Sequence, residues 1–273
     1  MTPAPQLDRG EGGRAAAAGL ELSARDRAIL TTLASLRLMT GRQLQRVFFA
    51  GDIASSTNPR VARRTLERLT DLGLLQRLDR RVGGLRAGSS SYVYTLSRKG
   101  GQIIAEDIGR GRRREPGLSF VAHTLAIAEA CVRLHEAQRA GQLTGLRLQT
   151  EPQAWRRLAG PEGGQLKPDL FVLAAVGDVE HLAFVEIDNG TEHGPALLRK
   201  AEVYERHYRS GQEQVQLGAF PYVLWLADQP ARVARIRAVL GSHRRLTRAL
   251  HKVGLQAEVV AALIANNQEG GDA

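Results

Sequence analysis

Residues 167–190 read KPDLFVLAAVGDVEHLAFVEIDNG. Two apolar runs, 169–174 and 182–188, flank a short turn at Gly177 and Asp178, which is the pattern of two strands joined by a tight connection. Strand side chains alternate between faces, so Glu186 and Asp188 at the end of the second run point the same way. Upstream, QLTGLRLQTEPQAW (142–155) reads as another strand with an irregular exit. Before it, SFVAHTLAIAEACVRLHEAQRAG (119–141) is an amphipathic helix with His123, Ile127, Ala130 and Leu134 on one face. Downstream, Gly194 and Pro195 open a helix running to about Ser210. PYVLWLAD (221–228), nearly all apolar, reads as a central strand, and PARVARIRAVLGS (230–242) as a further helix. The order helix, three strands, helix, strand, helix specifies an α/β core with a mixed sheet.

The whole chain has 273 residues, 43% of them apolar and 24% charged, with 29 Gly, 10 Pro and one Cys. That composition buries a real core, allows two domains, and excludes a disordered or collagen-like chain. A single cysteine, Cys131, excludes an internal disulfide framework and points to a reducing, cytoplasmic setting, with the thiol expected in the core. No run approaches the roughly 18 apolar residues needed to span a bilayer, and the first twenty residues have no secretory pattern, so no membrane partner is expected. The net charge of +10 is unevenly placed: residues 1–115 hold 21 Arg and Lys against 11 Asp and Glu, and the remainder holds 17 of each. A basic front joined to a neutral back suits one module that neutralises phosphates and another that does something else.

Residues 1–21 have no periodicity and read as a tail. LSARDRAILTTLASLRLMT (22–40) offers a Ser23 N-cap with Asp26 at N3, then Ile29, Leu30, Leu33 and Leu36 at helical spacing. GRQLQRVFF (41–49) follows as a second short helix. Asn58 caps a third, with Pro59 at its first position and Val61, Leu66, Leu69 and Leu72 inward until Gly73 stops it. Residues 74–78 and 92–96 are two strands of a Gly, Ser and Arg-rich hairpin, and Ser97 restarts a helix through about Asp107. GRGRRREPG (109–117) is the basic linker. No phosphate-binding loop is present, since GGLRAGSSS lacks the Gly-Lys-Ser/Thr ending.

Three helices followed by a hairpin, carried by TLERLTDLGLLQRL (65–78) and YVYTLSRKG (92–100), resemble the winged helix-turn-helix family. The resemblance implies that the third helix enters the major groove of double-stranded DNA and that the wing touches beside it. Arg60, Arg63, Arg64 and Arg68 on the exposed side of that helix, with Arg80, Arg81 and Arg86 in the wing, are then the DNA-binding candidates.

In the second half, the element order with PD opening one strand and EID closing the next resembles the PD-(D/E)XK nuclease superfamily. The resemblance implies that Asp169 and Glu186 converge on Mg2+, a hard cation that takes carboxylate oxygen and water, with Asp188 added to the acids. One departure matters: where the motif carries a lysine two residues after the acid, this chain has Asp188. Lys200 on the following helix is the substitute candidate for polarising a phosphate. It is one of only four lysines against 34 arginines, and Tyr204 stands one turn further on the same face. That pair resembles the Gln-x-x-x-Tyr motif of the RecB-like branch. His123 reads as a hydrogen-bonded helix residue able to approach this site, and His181, His193 and His207 show no metal spacing.

Taken together, His123-Thr124-Leu125, KPDLFVL, FVEIDNGTE and KAEVYERHY behind a winged helix resemble the replication-relaxation family of plasmids and integrative elements over about residues 22–243. The resemblance implies a winged helix-turn-helix domain at 22–108 and a nuclease-like α/β domain at 118–243, and residues 244–273 beyond it read as a C-terminal helical extension or tail. It also implies a role in plasmid replication and DNA relaxation beside a relaxase or replication initiator. Two alternatives stand next to a metal-dependent endonuclease or nickase. One is a catalytically silent nuclease-like domain serving as a protein platform; the other is a winged-helix repressor whose second domain forms a homodimer.

Overall fold

The computed structural model describes residues 21–50, 58–82, 91–104, 118–160, 163–190 and 193–265. Its contacts separate the chain into two compact units that divide between Glu115 and Pro116.

In the first unit, α1 (Ala24–Leu36) starts on the expected capping box: the Ser23 hydroxyl accepts from the Asp26 N–H at 3.1 Å, and the Asp26 carboxylate accepts from the Ser23 N–H at 3.0 Å. It buries Ile29, Leu30, Leu33 and Leu36. The sequence carries this helix on toward Thr40, but it stops at Leu36, because Arg37 turns to φ 66° and Leu38–Thr40 forms a strand, β1. Thr40 then caps α2 (Gly41–Phe48), with Gln43 closing a second capping box. The third helix, α3 (Asn58–Asp71), buries Ala62, Leu66 and Leu69. Val61, expected inward, is 40% exposed, since it stands one position off the 62, 66, 69 stripe.

The strands β2 (Leu75–Val82) and β3 (Ser91–Leu96) pair antiparallel, with a register shift between Leu78 and Arg81, and β1 adds to the other edge of β3. Ser97 caps α4 (Arg98–Ile103): its hydroxyl donates to the Gly73 carbonyl at 2.6 Å and accepts from the Gly100 N–H at 2.9 Å. This turn needs glycine, because a Cβ at Gly100 would sit 2.3 Å from the Leu74 carbonyl oxygen.

The second unit is mixed α/β, as its pattern requires. After α5 (Leu118–Arg139) come β4 (Gly145–Thr150), a small hairpin of β5 (Arg156–Arg157) and β6 (Gln165–Leu166), β7 (Leu170–Val176) and β8 (Val179–Asp188). Then follow α6 (Gly194–Arg209), α7 (Gln212–Leu217), β9 (Tyr222–Ala227), α8 (Pro230–Ser242), β10 (His251–Leu255) and α9 (Val259–Ile264). The five-stranded sheet runs β10-β9-β8-β7-β4; β4, β7 and β8 are antiparallel, while β8, β9 and β10 are parallel. Residues beyond 243, expected to be a helical extension outside the domain, instead supply β10, the edge strand of the sheet. The signal was weak because HKVGL is short and half-buried.

One sheet face, with Phe171, Phe184, Val223, Trp225 and Ala227, packs against Leu197, Ala201 and Tyr204 of α6 and Val233, Ile236 and Leu240 of α8. The opposite face meets α5 and α9. Odd residues of β7 and even residues of β8 therefore look toward α6 and α8, and this parity places Asp169, Glu186 and Asp188 on that side. Cys131 lies buried in α5, where burial pushes its thiol up to about 12.

Candidate functional site

The register that sets Leu170 opposite Val185 brings Asp169, just ahead of β7, opposite Glu186. The Asp169 N–H donates to the Val185 carbonyl at 3.1 Å, and its Oδ2 accepts from the Ile187 N–H at 2.7 Å, so the two strand ends are laced together. Because β8 and β9 run parallel, both helices that follow them start at this end of the sheet, and each brings a basic side chain back to it.

Lys200 and Tyr204, one turn apart on α6, both reach Glu186. The Lys200 ammonium lies 2.6 Å from Oε2, and the Tyr204 hydroxyl donates to Oε1. Glu186 is 2% exposed. Burial pushes its carboxyl up to about 7, with Asp169 adding to the rise and Lys200 and Tyr204 opposing it. Burial also raises the Tyr204 hydroxyl well above its usual range, with the Glu186 charge next in importance. Lys200 keeps a third of its side chain in solvent.

Asp188 shares the face of Glu186, as period two requires, but faces a different partner. Arg232, in the first turn of α8, donates from Nε to Oδ1 at 2.9 Å and from a terminal nitrogen to Oδ2 at 2.6 Å; the Gly190 N–H adds a third bond at 2.5 Å. Both Asp188 oxygens are thus committed to a bidentate guanidinium, and the geometry gives no support to Asp188 as a third metal ligand. Arg232 was not singled out in the sequence, although a buried acid in place of the motif lysine demands a cation and PAR at the head of the next helix supplies one. His123 on α5 does approach: its Nε2 lies 2.9 Å from Asp169 Oδ1, and that hydrogen bond holds the imidazole above its ordinary range against the pull of burial.

The site is therefore two buried carboxylates, Asp169 and Glu186, facing each other from adjacent strands and rimmed by His123, Lys200 and Tyr204. Two hard oxygen donors, one of them strained toward its neutral form by burial, are a donor set that suits a small divalent cation retaining several waters. Among the described residues, no group of three or more His, Cys, Asp and Glu gathers into a metal site.

Deeper under α6, His207 Nε2 lies 2.9 Å from Glu213, which also pairs with Arg156 at 3.0 Å; Arg156 lies over Phe171 and Phe184. This network joins α6 and α7 to the β5–β6 hairpin. His193 is the exposed N-cap residue of α6, and His181 is buried on β8.

In the first unit, Arg60, Arg63 and Arg64 stand exposed along α3. Arg68 is exposed as well but already has a partner: it is 2.6 Å from Asp26, a carboxylate 3% exposed, and ties α3 to the capping box of α1. Burial raises Asp26, but Arg68 and Ser23 outweigh it and hold the carboxyl below its usual value. Arg80 and Arg81 belong to β2, and Arg86 lies outside the described residues. Beside them, unforeseen, Arg77 lies 5.1 Å from the ring of the exposed Tyr92.

No helix among the described residues is long and apolar enough to cross a membrane. No curated protein matches this chain. A solved structure, that of protein VC1899 from Vibrio cholerae, aligns with 12% identity and a TM-score of 0.28 over 92% of this chain, which spans about half, 52%, of that longer one. Residues 30–223, the greater part of both units, match the replication-relaxation family. On that match, this chain belongs to the replication-relaxation family.

Proposed function

We propose that this protein acts in DNA replication and relaxation by binding double-stranded DNA through α3 and the β2–β3 wing, and by phosphodiester chemistry at Asp169 and Glu186. The observation that carries the second part is the facing pair of buried carboxylates, with the Lys200 ammonium ion-paired to one of them at 2.6 Å. Asp169 and Glu186 would hold Mg2+; when bound, such an ion activates water and offsets charge growing on the scissile phosphate. Lys200 stays beside Glu186 and supplies a positive group to a phosphate oxygen. Tyr204 fixes the Glu186 carboxylate by its hydrogen bond, and His123 does the same for Asp169, so neither acid needs to reorganise when substrate arrives. The helix, strand, helix, helix, hairpin order of the first unit, with three arginines in water on α3, supports major-groove docking.

A second reading has its own observation. Each acid already faces a basic side chain: Asp169 faces His123, Glu186 faces Lys200, and Asp188 faces Arg232. A charge-matched interior of this kind also suits a silent nuclease-like platform for a relaxase, a replication initiator or a second copy.

Nicking of supercoiled plasmid with Mg2+ separates the two. The native protein is expected to nick, and Asp169→Ala with Glu186→Ala to lose about a thousandfold in rate, on the scale of losing transition-state charge stabilisation. Equal nicking by both proteins, or none by either across several metals and origin fragments, would leave the platform reading standing.

A further inference from the structure

The chain has two tryptophans, and they live differently. Trp225 on β9 is 1% exposed, edge-on to Tyr204 in the core under α6, and its indole N–H donates to His251 at 3.2 Å. Trp155, at the entrance to the β5–β6 hairpin, is only half-buried and stands outside that core, although its neighbour Ala154 is fully inside it. The Lys167 ammonium lies 4.5 Å from the centre of the Trp155 ring. Arg157 and Lys167 are both exposed, and so is Arg147 on the edge strand β4. Arg147 lies two residues from Gln149, whose side chain accepts from Arg156 at 3.3 Å, so by strand parity Arg147 looks to the hairpin side of the sheet. Of the acids around the hairpin, Glu213 is buried against Arg156 and His207, and Asp169 against His123.

The hairpin's place in the fold gives this patch its meaning. Ala154 and Leu166 anchor it in the core beneath α6, the helix of Lys200 and Tyr204. Chain leaving β6 passes through Lys167 and Pro168 directly into Asp169. The Trp155 ring and the Lys167 cation beside it thus stand on the segments that lead into the carboxylate pair.

We propose that Trp155, with Lys167, Arg157 and Arg147, is a stacking surface for unpaired DNA bases beside the Asp169 and Glu186 site. A ring face accepts any base, and surrounding cations track the backbone, which is the general design of sequence-tolerant single-strand binding. The substrate of the second unit is then a locally opened or single-stranded segment, while the first unit holds duplex. This rests on the reading that the second unit meets DNA, but not on cleavage there.

The test uses the full chain carrying Arg63→Glu and Arg64→Glu, which removes the contribution of α3. A short oligo(dT) is expected to quench tryptophan emission saturably, with buried Trp225 left as the unquenched background. Trp155→Phe is expected to abolish the quench while keeping affinity for labelled oligo(dT), read by anisotropy, within about threefold, because phenylalanine still stacks. Trp155→Ala, and separately Lys167→Ala with Arg157→Ala, are expected to weaken that affinity about tenfold. Circular dichroism confirms that each variant folds. Absence of a quench, or Trp155→Ala binding oligo(dT) as tightly as its parent, would overturn the proposal. Nicking without a quench leaves the acid site intact and removes this surface; a quench without nicking does the reverse.

Discussion

Arg60, Arg63 and Arg64 on α3, and Asp169, Glu186 and Asp188 at the adjoining ends of β7 and β8, are both rows of like charge, yet the first stands in water and the second is buried. A charge in water is already solvated, so the first row needs no partner from its own chain and stays available to a phosphate. A buried carboxylate costs several kcal/mol unless matched, and each acid of the second row has a basic side chain within hydrogen-bond distance. Substitution should therefore damage stability in the second row and partner binding in the first.

The largest stability effect is expected at Arg232. Arg232→Ala leaves Asp188, 5% exposed, with a buried charge that keeps, among the described residues, the Gly190 N–H, and should destabilise the second unit by about 3–5 kcal/mol in urea unfolding. Adding Asp188→Ala removes the orphaned charge and should recover more than half of that loss. If the double variant is no more stable than Arg232→Ala, the guanidinium is holding α8 by packing rather than by charge.

Next in size is a pH effect at His251. Its Nδ1 accepts from the Trp225 indole, and burial pulls the imidazole from 6.5 down to about 4, so the folded protein holds it neutral. Above pH 6.5 neither folded nor unfolded chain protonates it and its contribution to stability is complete. As pH falls from 6.5 toward 4 the unfolded chain takes up a proton that the folded one refuses, and about 3 kcal/mol should be lost. His251→Gln should flatten this stretch of the stability curve; an unchanged slope between pH 6 and 4.5 would assign the acid sensitivity elsewhere.

The same contrast explains what the sequence disclosed. The alternation in 169–188 was enough to put Glu186 and Asp188 on one face, and the four-residue spacing of Lys200 and Tyr204 to set both on one side of their helix, because period two and period 3.6 are local facts; that this side meets Glu186 came only from the nuclease-like resemblance. The partner of Asp188 was not local: it depends on β8 and β9 running parallel, so that α8 begins where β8 ends, and no spacing encodes which of many arginines arrives there. The hairpin of β5 and β6, two residues a strand, and β1, three residues long, are too short to carry a period. Arg68 is a different case. Helical spacing put it in the row with Arg64, and only the packing of α3 on α1 reveals that Asp26 holds it.

That pair of arginines gives the smallest and cleanest test, since Arg64 and Arg68 are four apart on one helix and differ in whether the chain uses them. Arg68→Ala should cost about 1 kcal/mol of first-unit stability, because Asp26 keeps its bonds to Ser23 but loses its ion pair across to α3. Arg64→Ala should change stability by less than about 0.5 kcal/mol, as exposed substitutions do. On duplex DNA the order should invert: removing one phosphate contact with Arg64→Ala lowers the slope of log affinity against log salt by about 0.9. Arg68→Ala, measured where the protein is fully folded, should leave that slope within about 0.3 of the native value, a small fraction of one contact. Equal slopes for both variants would mean that Asp26 releases Arg68 to the DNA, and that the brace between α1 and α3 opens on binding.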